Sequence, residues 1–327
     1  MSLPSFRLLR PKNLDEAVAL LSMHTDQVKV VAGGTDLLPS MKQKLFTPPY
    51  VLDLRGISEL RGIQTNPDGG VTVGALTALA AIEHSSLIRR DYAVLYEATK
   101  TVASPVLRNM GTLGGNICLD TRCLWYNQSV LWRKSCGFCL KKDGDLCHVA
   151  PGGKTCWAAF SGDTAPALLC LGAKVEVAGP DGLRRIPLAD FYVNDGIVRL
   201  HLSPQEVVTR VHLPQASKGW RGSYQKLRVR GSIDYPLAGV AVALKMHQGR
   251  VEDARMAITA VNPAPHLVKD ADSLLVGANV GEELAEKIGE LASRTAKPLT
   301  TSALTPEYRR EMVKIFAKRA LLESAAN

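Results

Sequence analysis

Cys123, Cys136, Cys139, Cys147 and Cys156 make up five of the chain's seven cysteines, and all lie between Arg122 and Cys156 in "RCLWYNQSVLWRKSCGFCLKKDGDLCHVAPGGKTC". Clustered thiolates bind soft metals and iron–sulfur centres, and an odd total speaks against a disulfide framework. Structural zinc usually takes two close CxxC pairs, and only Cys136 and Cys139 form one. Wider gaps suit a cluster wrapped by a loop. On the residues alone, zinc and iron–sulfur both stay open. Trp125, Trp132 and Trp157, with Tyr126 and Phe138, favour burial, so the segment is not disordered. It is too small to build a core of its own and needs a staple.

A second chemistry belongs to two glycine turns. In "VVAGGTDLL" a strand runs into Gly33-Gly34 and then Thr35-Asp36; "RNMGTLGGNI" places Gly111, Thr112, Gly114, Gly115 and Asn116 together. Glycine lets backbone N–H groups approach a ligand closely, and successive N–H groups cradle an anion. Neither turn is GxGxxG or a P-loop. Together they suit one diphosphate gripped from two sides.

The elements that must position these turns alternate between helix and strand. "NLDEAVALLSM" reads as a helix capped by Asn13, with Glu16 three residues on. "VKVV" and "YVLDL" read as strands flanking a short helix. "NPDGG" is a turn between "GIQ" and "VTVGA". "TALAAIEHSSLI", "YAVLYEATKTV" and "TAPALLCLGA" read as helices, "KVEVAG" and "LRRIPL" as a hairpin, and "EVVTRVHLP" as a strand. Polar, turn-rich Pro214–Ser223 is expected to separate two domains. Beyond it come a long hairpin, "AGVAVALKM-HQG-RVEDARMAITAV", and two helices, the last capped by Thr305 with Pro306 at its first position. The fold class is α+β.

"VAGGTDLLP", "VGALTALA", "ASPVLRNMGTLGGNI" and "GDTAPALLCLGAKV" occur in that order. Over nearly the whole chain this set resembles the FAD-binding subunit of the molybdenum hydroxylases, the xanthine and carbon monoxide dehydrogenase group. The resemblance implies a two-lobed FAD-binding domain over 1–216, with lobes of about 1–60 and 61–216, and a smaller C-terminal α+β domain over 217–327. It places the first FAD loop on Val30, Val31, Ala32, Gly33, Gly34, Thr35, Asp36 and Leu37. The second falls on Gly111, Thr112, Leu113, Gly114, Gly115 and Asn116, and Thr101, Asp163 and Lys226 match positions near the cofactor. Read without the resemblance, Asp163 is a helix N-cap and Lys226 a solvated strand lysine.

Family members pass almost directly from the GGN turn to the helix after Asp163, whereas here a segment at about 120–160 intervenes. Such an insert looks like that of the β subunits of 4-hydroxybenzoyl-CoA reductases, the reductive branch. The likeness implies a [4Fe–4S] cluster on Cys123, Cys139, Cys147 and Cys156. Cys136 is then a bystander, Cys118 and Cys170 are ordinary buried thiols, and His148 is a minor alternative ligand. It further implies an electron-entry subunit with no catalytic residue of its own. Ferredoxin would be the donor, a molybdopterin-binding large subunit and a [2Fe–2S] small subunit the partners, and a dimer of heterotrimers the assembly. "DFYVNDGIV" departs from the aromatic, glycine- and arginine-containing stretch of NAD-linked relatives, which speaks against NAD. Arg122, Arg133, Lys134, Lys141, Lys142 and Lys154, against Asp143 and Asp145, are expected to form a basic rim that steers an acidic ferredoxin.

Composition narrows the rivals. A chain of 327 residues with 46% hydrophobic and 22% charged residues reads as a globular protein of two or three domains. No apolar run of about 18 residues or signal-peptide core is present, so the cytoplasm is expected and no membrane. The net charge of +9 is spread without a run of five cations, which argues against nucleic acid. The alternatives are a flavin subunit of another molybdenum hydroxylase, a self-contained FAD reductase with a structural zinc loop, and a basic zinc module for nucleic acid.

Overall fold

The structure is a computed structural model and describes residues 2–326. Its N-terminal part holds a small parallel sheet of β1 (Arg7–Leu9), β2 (Val28–Val31) and β3 (Tyr50–Asp53), in the order β1-β3-β2. Helix Leu14–Met23 leads into β2, and Asn13 caps it by accepting from the Glu16 N–H at 2.9 Å. Helix Leu37–Lys42 makes the crossover from β2 to β3. β1 is a strand the sequence pattern does not reveal, because three residues are too few to show alternation.

An antiparallel sheet follows, built from β4 (Ile63–Thr65), β5 (Val71–Gly74), β6 (Lys174–Gly179), β7 (Gly182–Pro187) and β8 (Val207–Leu213), in the order β4-β5-β8-β6-β7. The "GPDG" turn closes the β6–β7 hairpin, with Gly182 in the left-handed region at φ +97°. Helices Ala93–Lys100, Leu113–Ile117 and Thr164–Cys170 lie between β5 and β6 in the chain. The expected single helix over "TALAAIEHSSLI" is two, Leu79–Glu83 and Ser86–Asp91, because the Ser85 hydroxyl caps the second by accepting from the Ile88 N–H.

The third sheet, β12-β11-β10-β9, contains β9 (Arg221–Leu227), β10 (Ala238–His247), β11 (Arg250–Thr259) and β12 (His266–Leu267). β9 begins inside the stretch expected to be a linker. β10 is buried on both faces from Ala238 to Leu244, which explains its unbroken apolar run. Its small residues Ala241 and Ala243 belong to the core shared with helices Ala93–Lys100 and Thr164–Cys170. Val240, Val242 and Leu244 face the other way, onto Ile288 of helix Glu282–Thr295 and Phe316 of helix Pro306–Ala326. The β10–β11 turn, Gln248-Gly249, has both residues at positive φ, as the twist of a tight hairpin requires. The last helix starts as expected: Pro306 is its first residue, and the Thr305 hydroxyl accepts from the Tyr308 N–H at 3.2 Å. Among the described residues no helix is long and apolar enough to cross a membrane.

Candidate functional site

The two glycine turns meet. A Cβ on Gly33 would lie 1.9 Å from the Met110 carbonyl oxygen, so only glycine permits this contact between the turns. Among the described residues, the N–H groups of Gly33, Gly34, Thr35 and Asp36 have no protein acceptor. These residues are half-buried or exposed, so the four donors are open to water or to an anion such as a diphosphate. Gly114 is likewise a packing glycine, since its Cβ would fall 2.8 Å from that of Ala75. Gly115 differs. It is exposed, and a Cβ there would meet only the Thr112 hydroxyl, at 3.1 Å. That hydroxyl caps helix Leu113–Ile117 by accepting from the Gly115 N–H. The space in front of Gly115 is therefore free of protein, as a bound cofactor requires.

Thr101, Asp163 and Lys226, far apart in sequence, come together at one ammonium. Lys226 Nζ donates to the Thr101 carbonyl and to Asp163 Oδ2, both at 3.0 Å. Asp163 Oδ1 accepts from the Tyr224 hydroxyl at 2.8 Å. Both charged side chains are almost fully buried, at 3% and 4% exposure, so the solvated reading of Lys226 does not hold. Nor does Asp163 cap its helix, because Lys226 and Tyr224 occupy its two oxygens. Asn116 does that work: its Oδ1 accepts from the Thr164 N–H at 3.1 Å. Burial pushes the Asp163 carboxyl up, and Lys226 beside it pulls it back toward the ionised form.

Asp36, at the end of the first turn, accepts from Arg122 Nη1 at 2.7 Å and from the Tyr235 hydroxyl at 2.8 Å. The Arg122 guanidinium lies over the Tyr235 ring, 3.9 Å from its centre. Thus the first residue of the cysteine segment is tied to the glycine turn. Neither Tyr224 nor Tyr235 is singled out by any motif.

Inside the insert, Cys123, Cys139, Cys147 and Cys156 are all buried and line one hollow with Trp125, Tyr126, Lys141 and His148. The open space between them is only about 20 Å³, so the four thiols already crowd one small hollow. Cys136 is half-buried and outside this lining. Among the described residues, no three His, Cys, Asp or Glu side chains are gathered tightly enough to hold a single metal ion. Zinc would draw its sulfurs in to about 2.3 Å from one centre; a four-iron cube holds them further apart. Burial pushes the Cys123 and Cys156 thiols up to about 11 in the absence of metal, so a bound cation must displace their protons. The "DFYVNDGIV" stretch reaches this insert. Gly196 packs on the insert: its N–H donates to the Cys156 carbonyl at 2.8 Å, and a Cβ would sit 2.6 Å from Cys156 Sγ.

The basic rim does not form as expected. Lys141 points inward, donating to Asp120 Oδ1 at 2.8 Å and to Thr121, with its ammonium over the Tyr126 ring. Arg133 is 2% exposed and donates to the Lys44 carbonyl at 3.0 Å. Arg122 is taken by Asp36, and Lys142 pairs with Asp143 at 3.3 Å. Only Lys134 and Lys154 of the six are exposed without an ion-pair partner among the described residues. Arg122 and Arg133 instead tie the insert to Asp36 and Lys44, beside the small buried cluster that Tyr126 and Ala158 form with Leu45.

Comparison with known proteins places this geometry. The family described as "FAD binding domain in molybdopterin dehydrogenase" matches residues 4–216, and "CO dehydrogenase flavoprotein C-terminal domain" matches 222–324. The carbon monoxide dehydrogenase medium chain of Afipia carboxidovorans is 30% identical over 323 residues, 98% of this chain and 97% of the relative. The glyceraldehyde dehydrogenase medium chain of Sulfolobus acidocaldarius is 26% identical over 322 residues, 98% of this chain and 99% of the relative. Among solved structures, a chain of the reconstituted CO dehydrogenase from Oligotropha carboxidovorans superposes with a TM-score of 0.83 at 28% identity, covering 100% of this chain and 99% of that one.

Proposed function

The chain belongs to the FAD-binding medium subunits of the molybdenum hydroxylase family, and from that premise we propose that it is the electron-entry subunit of a reductive complex of the 4-hydroxybenzoyl-CoA reductase type. The observation that supports this reading is the convergence of four buried thiols, Cys123, Cys139, Cys147 and Cys156, on one hollow whose lining leaves out Cys136. When bound, FAD would supply two-electron and one-electron exchange and a [4Fe–4S] cluster one-electron exchange; the protein's part is to bind, orient and tune them.

Each group of residues then has a task. The N–H groups of Gly33 to Asp36 and the open face at Gly115 hold the diphosphate. Residues 30–37 and 111–116 together line its binding cleft. Lys226 fixes Asp163 and the Thr101 carbonyl in one orientation, so the polar wall near the flavin does not reorganise when the cofactor enters. Cys123, Cys139, Cys147 and Cys156 hold the cluster, and Asp120–Lys141 with Asp36–Arg122 clamp the insert to the flavin-binding part. Residues 1–216 act as the FAD-binding domain and 217–327 as the C-terminal domain. The partners are a molybdopterin-binding large subunit and a [2Fe–2S] small subunit, in a dimer of heterotrimers, with ferredoxin as donor in the reducing cytoplasm.

The test is flavin, iron and zinc analysis of the complex purified without oxygen, with electron paramagnetic resonance after reduction. The expected result is one FAD and four irons per chain beyond those of the small subunit. Stoichiometric zinc in place of the extra iron would instead make the chain the flavin subunit of another molybdenum hydroxylase, with a structural zinc loop.

A further inference from the structure

Beside the thiol hollow runs an open groove of about 700 Å³, between the insert and the two C-terminal helices. Its insert wall includes Val149, Ala150 and Trp157; the opposite wall carries Arg294, Lys297 and Arg310. These three cations are exposed. Glu282, Glu283, Glu286 and Glu290, on the same helix as Arg294, are engaged by Lys287, Lys314 and Lys318. That leaves Arg294, Lys297 and Arg310 with no carboxylate in ion-pair reach among the described residues. Lys154 is exposed in the loop that joins Ala150 to Trp157, two residues of the insert wall.

The groove and the hollow share a wall. Val149 lines both. Trp157 follows Cys156 directly in the chain, and Val149 lies two residues after Cys147. A redox protein seated here would thus be one layer of side chains from the thiols. We propose that this groove, and not the insert's own cations, is the docking site of an acidic one-electron carrier protein. Charge complementarity selects the class of partner, and the shared wall gives a reason for it to dock at this place. The docked carrier gives up one electron and is oxidised; the subunit gains that electron and is reduced, with no bond made and no proton moved. The inference rests on the thiol hollow being a cluster site. A free nucleotide would also match the cations and the indole of Trp157, but it would leave the shared wall without a purpose.

The test measures binding of an acidic bacterial-type ferredoxin to the whole anaerobically purified complex by titration calorimetry across a salt series. Arg294→Glu with Lys297→Glu is expected to weaken binding about tenfold or more at low salt, with the difference shrinking as ionic strength rises. Iron, flavin and subunit content should stay as in the parent. A control with the same charge change on exposed lysines of other elements that make no ion pair among the described residues, Lys12→Glu with Lys174→Glu, is expected to bind almost as the parent does. Equal weakening in the control, or unchanged binding in the first variant, overturns the proposal. Loss of other subunits in the groove variant also overturns it, by making the groove a subunit seam. Displacement of the ferredoxin by coenzyme A or ADP at groove-dependent affinity would assign the groove to a small anion. Absence of extra iron in the parent complex fails the cluster reading itself, which separates that failure from failure of the docking site.

Discussion

Lys226 and Asp163 form a buried ion pair, Nζ to Oδ2 at 3.0 Å, across the junction between β9 and the start of helix Thr164–Cys170. Removing one member leaves the other charge buried alone, which typically costs about 3–5 kcal/mol. Lys226→Met is therefore expected to lower stability by that amount in urea unfolding and to reduce flavin occupancy. Adding Asp163→Asn should restore much of the stability but not the flavin. Full flavin content in the stable double variant would show that the pair only supports the fold.

The glycines of the two turns should separate by role. Gly33→Ala drives a Cβ into the Met110 backbone, and overpacking of this kind costs about 1–3 kcal/mol; stability and flavin are expected to fall together. A Cβ at Gly115 meets only the Thr112 hydroxyl, and the helix-propensity change of Gly115→Val is within about 0.5 kcal/mol. Here flavin content should drop while the unfolding midpoint holds. A Gly115→Val protein with full flavin absorbance would remove this turn from the cofactor site.

The insert offers a test that leaves every cysteine in place. Gly196→Ala puts a methyl group 2.6 Å from Cys156 Sγ. The expected outcome is loss of iron, or a damaged cluster spectrum, with FAD retained. Cys139→Ser should do the same and Cys136→Ser should not. Iron loss in Cys136→Ser with a normal spectrum in Cys139→Ser would reverse the choice within the CxxC pair.

Glu176 gives a prediction in pH. Burial works against its ionisation, yet hydrogen bonds from Arg210, Thr209, Arg185 and His212 hold the carboxyl down to about 2, below the ordinary 4.5. A depressed folded value means the stabilisation is complete above about pH 4.5 and is lost as pH falls toward 2. Because Arg185 is largely exposed and Arg210 partly so, screening limits the effect to about 1–2 kcal/mol. Glu176→Gln should flatten the acid limb of the stability curve by that amount. An unchanged acid limb would mean that other carboxylates set it.

Local features were legible in the sequence wherever neighbours in the chain decide them. Asn13 and Thr305 cap their helices as read, and the "HQG" and "PDG" turns close hairpins. The ordered glycine motifs, which carry a family's backbone requirements, led to the FAD-binding subunits. Bystander and packing roles were less visible: Gly33 and Gly115 look alike in sequence, and only a neighbouring carbonyl separates them.

What the sequence alone determined, then, is the longer helices and hairpins, the family, and the presence of a thiol-rich insert; short strands such as β1 and the start of β9 were not among them. Tertiary structure decided which residues meet. Thr101 and Lys226 stand 125 positions apart, Asp163 and Lys226 63 apart, and no periodicity links them. Nor could charge counting reveal that Lys141 and Arg133 turn inward while Arg294, Lys297 and Arg310, from another part of the chain, face the groove beside the thiols. Capping and turn energies depend on a few adjacent residues. The placement of a buried charge depends on which distant surface supplies its partner, and that is settled only when the sheets and helices pack.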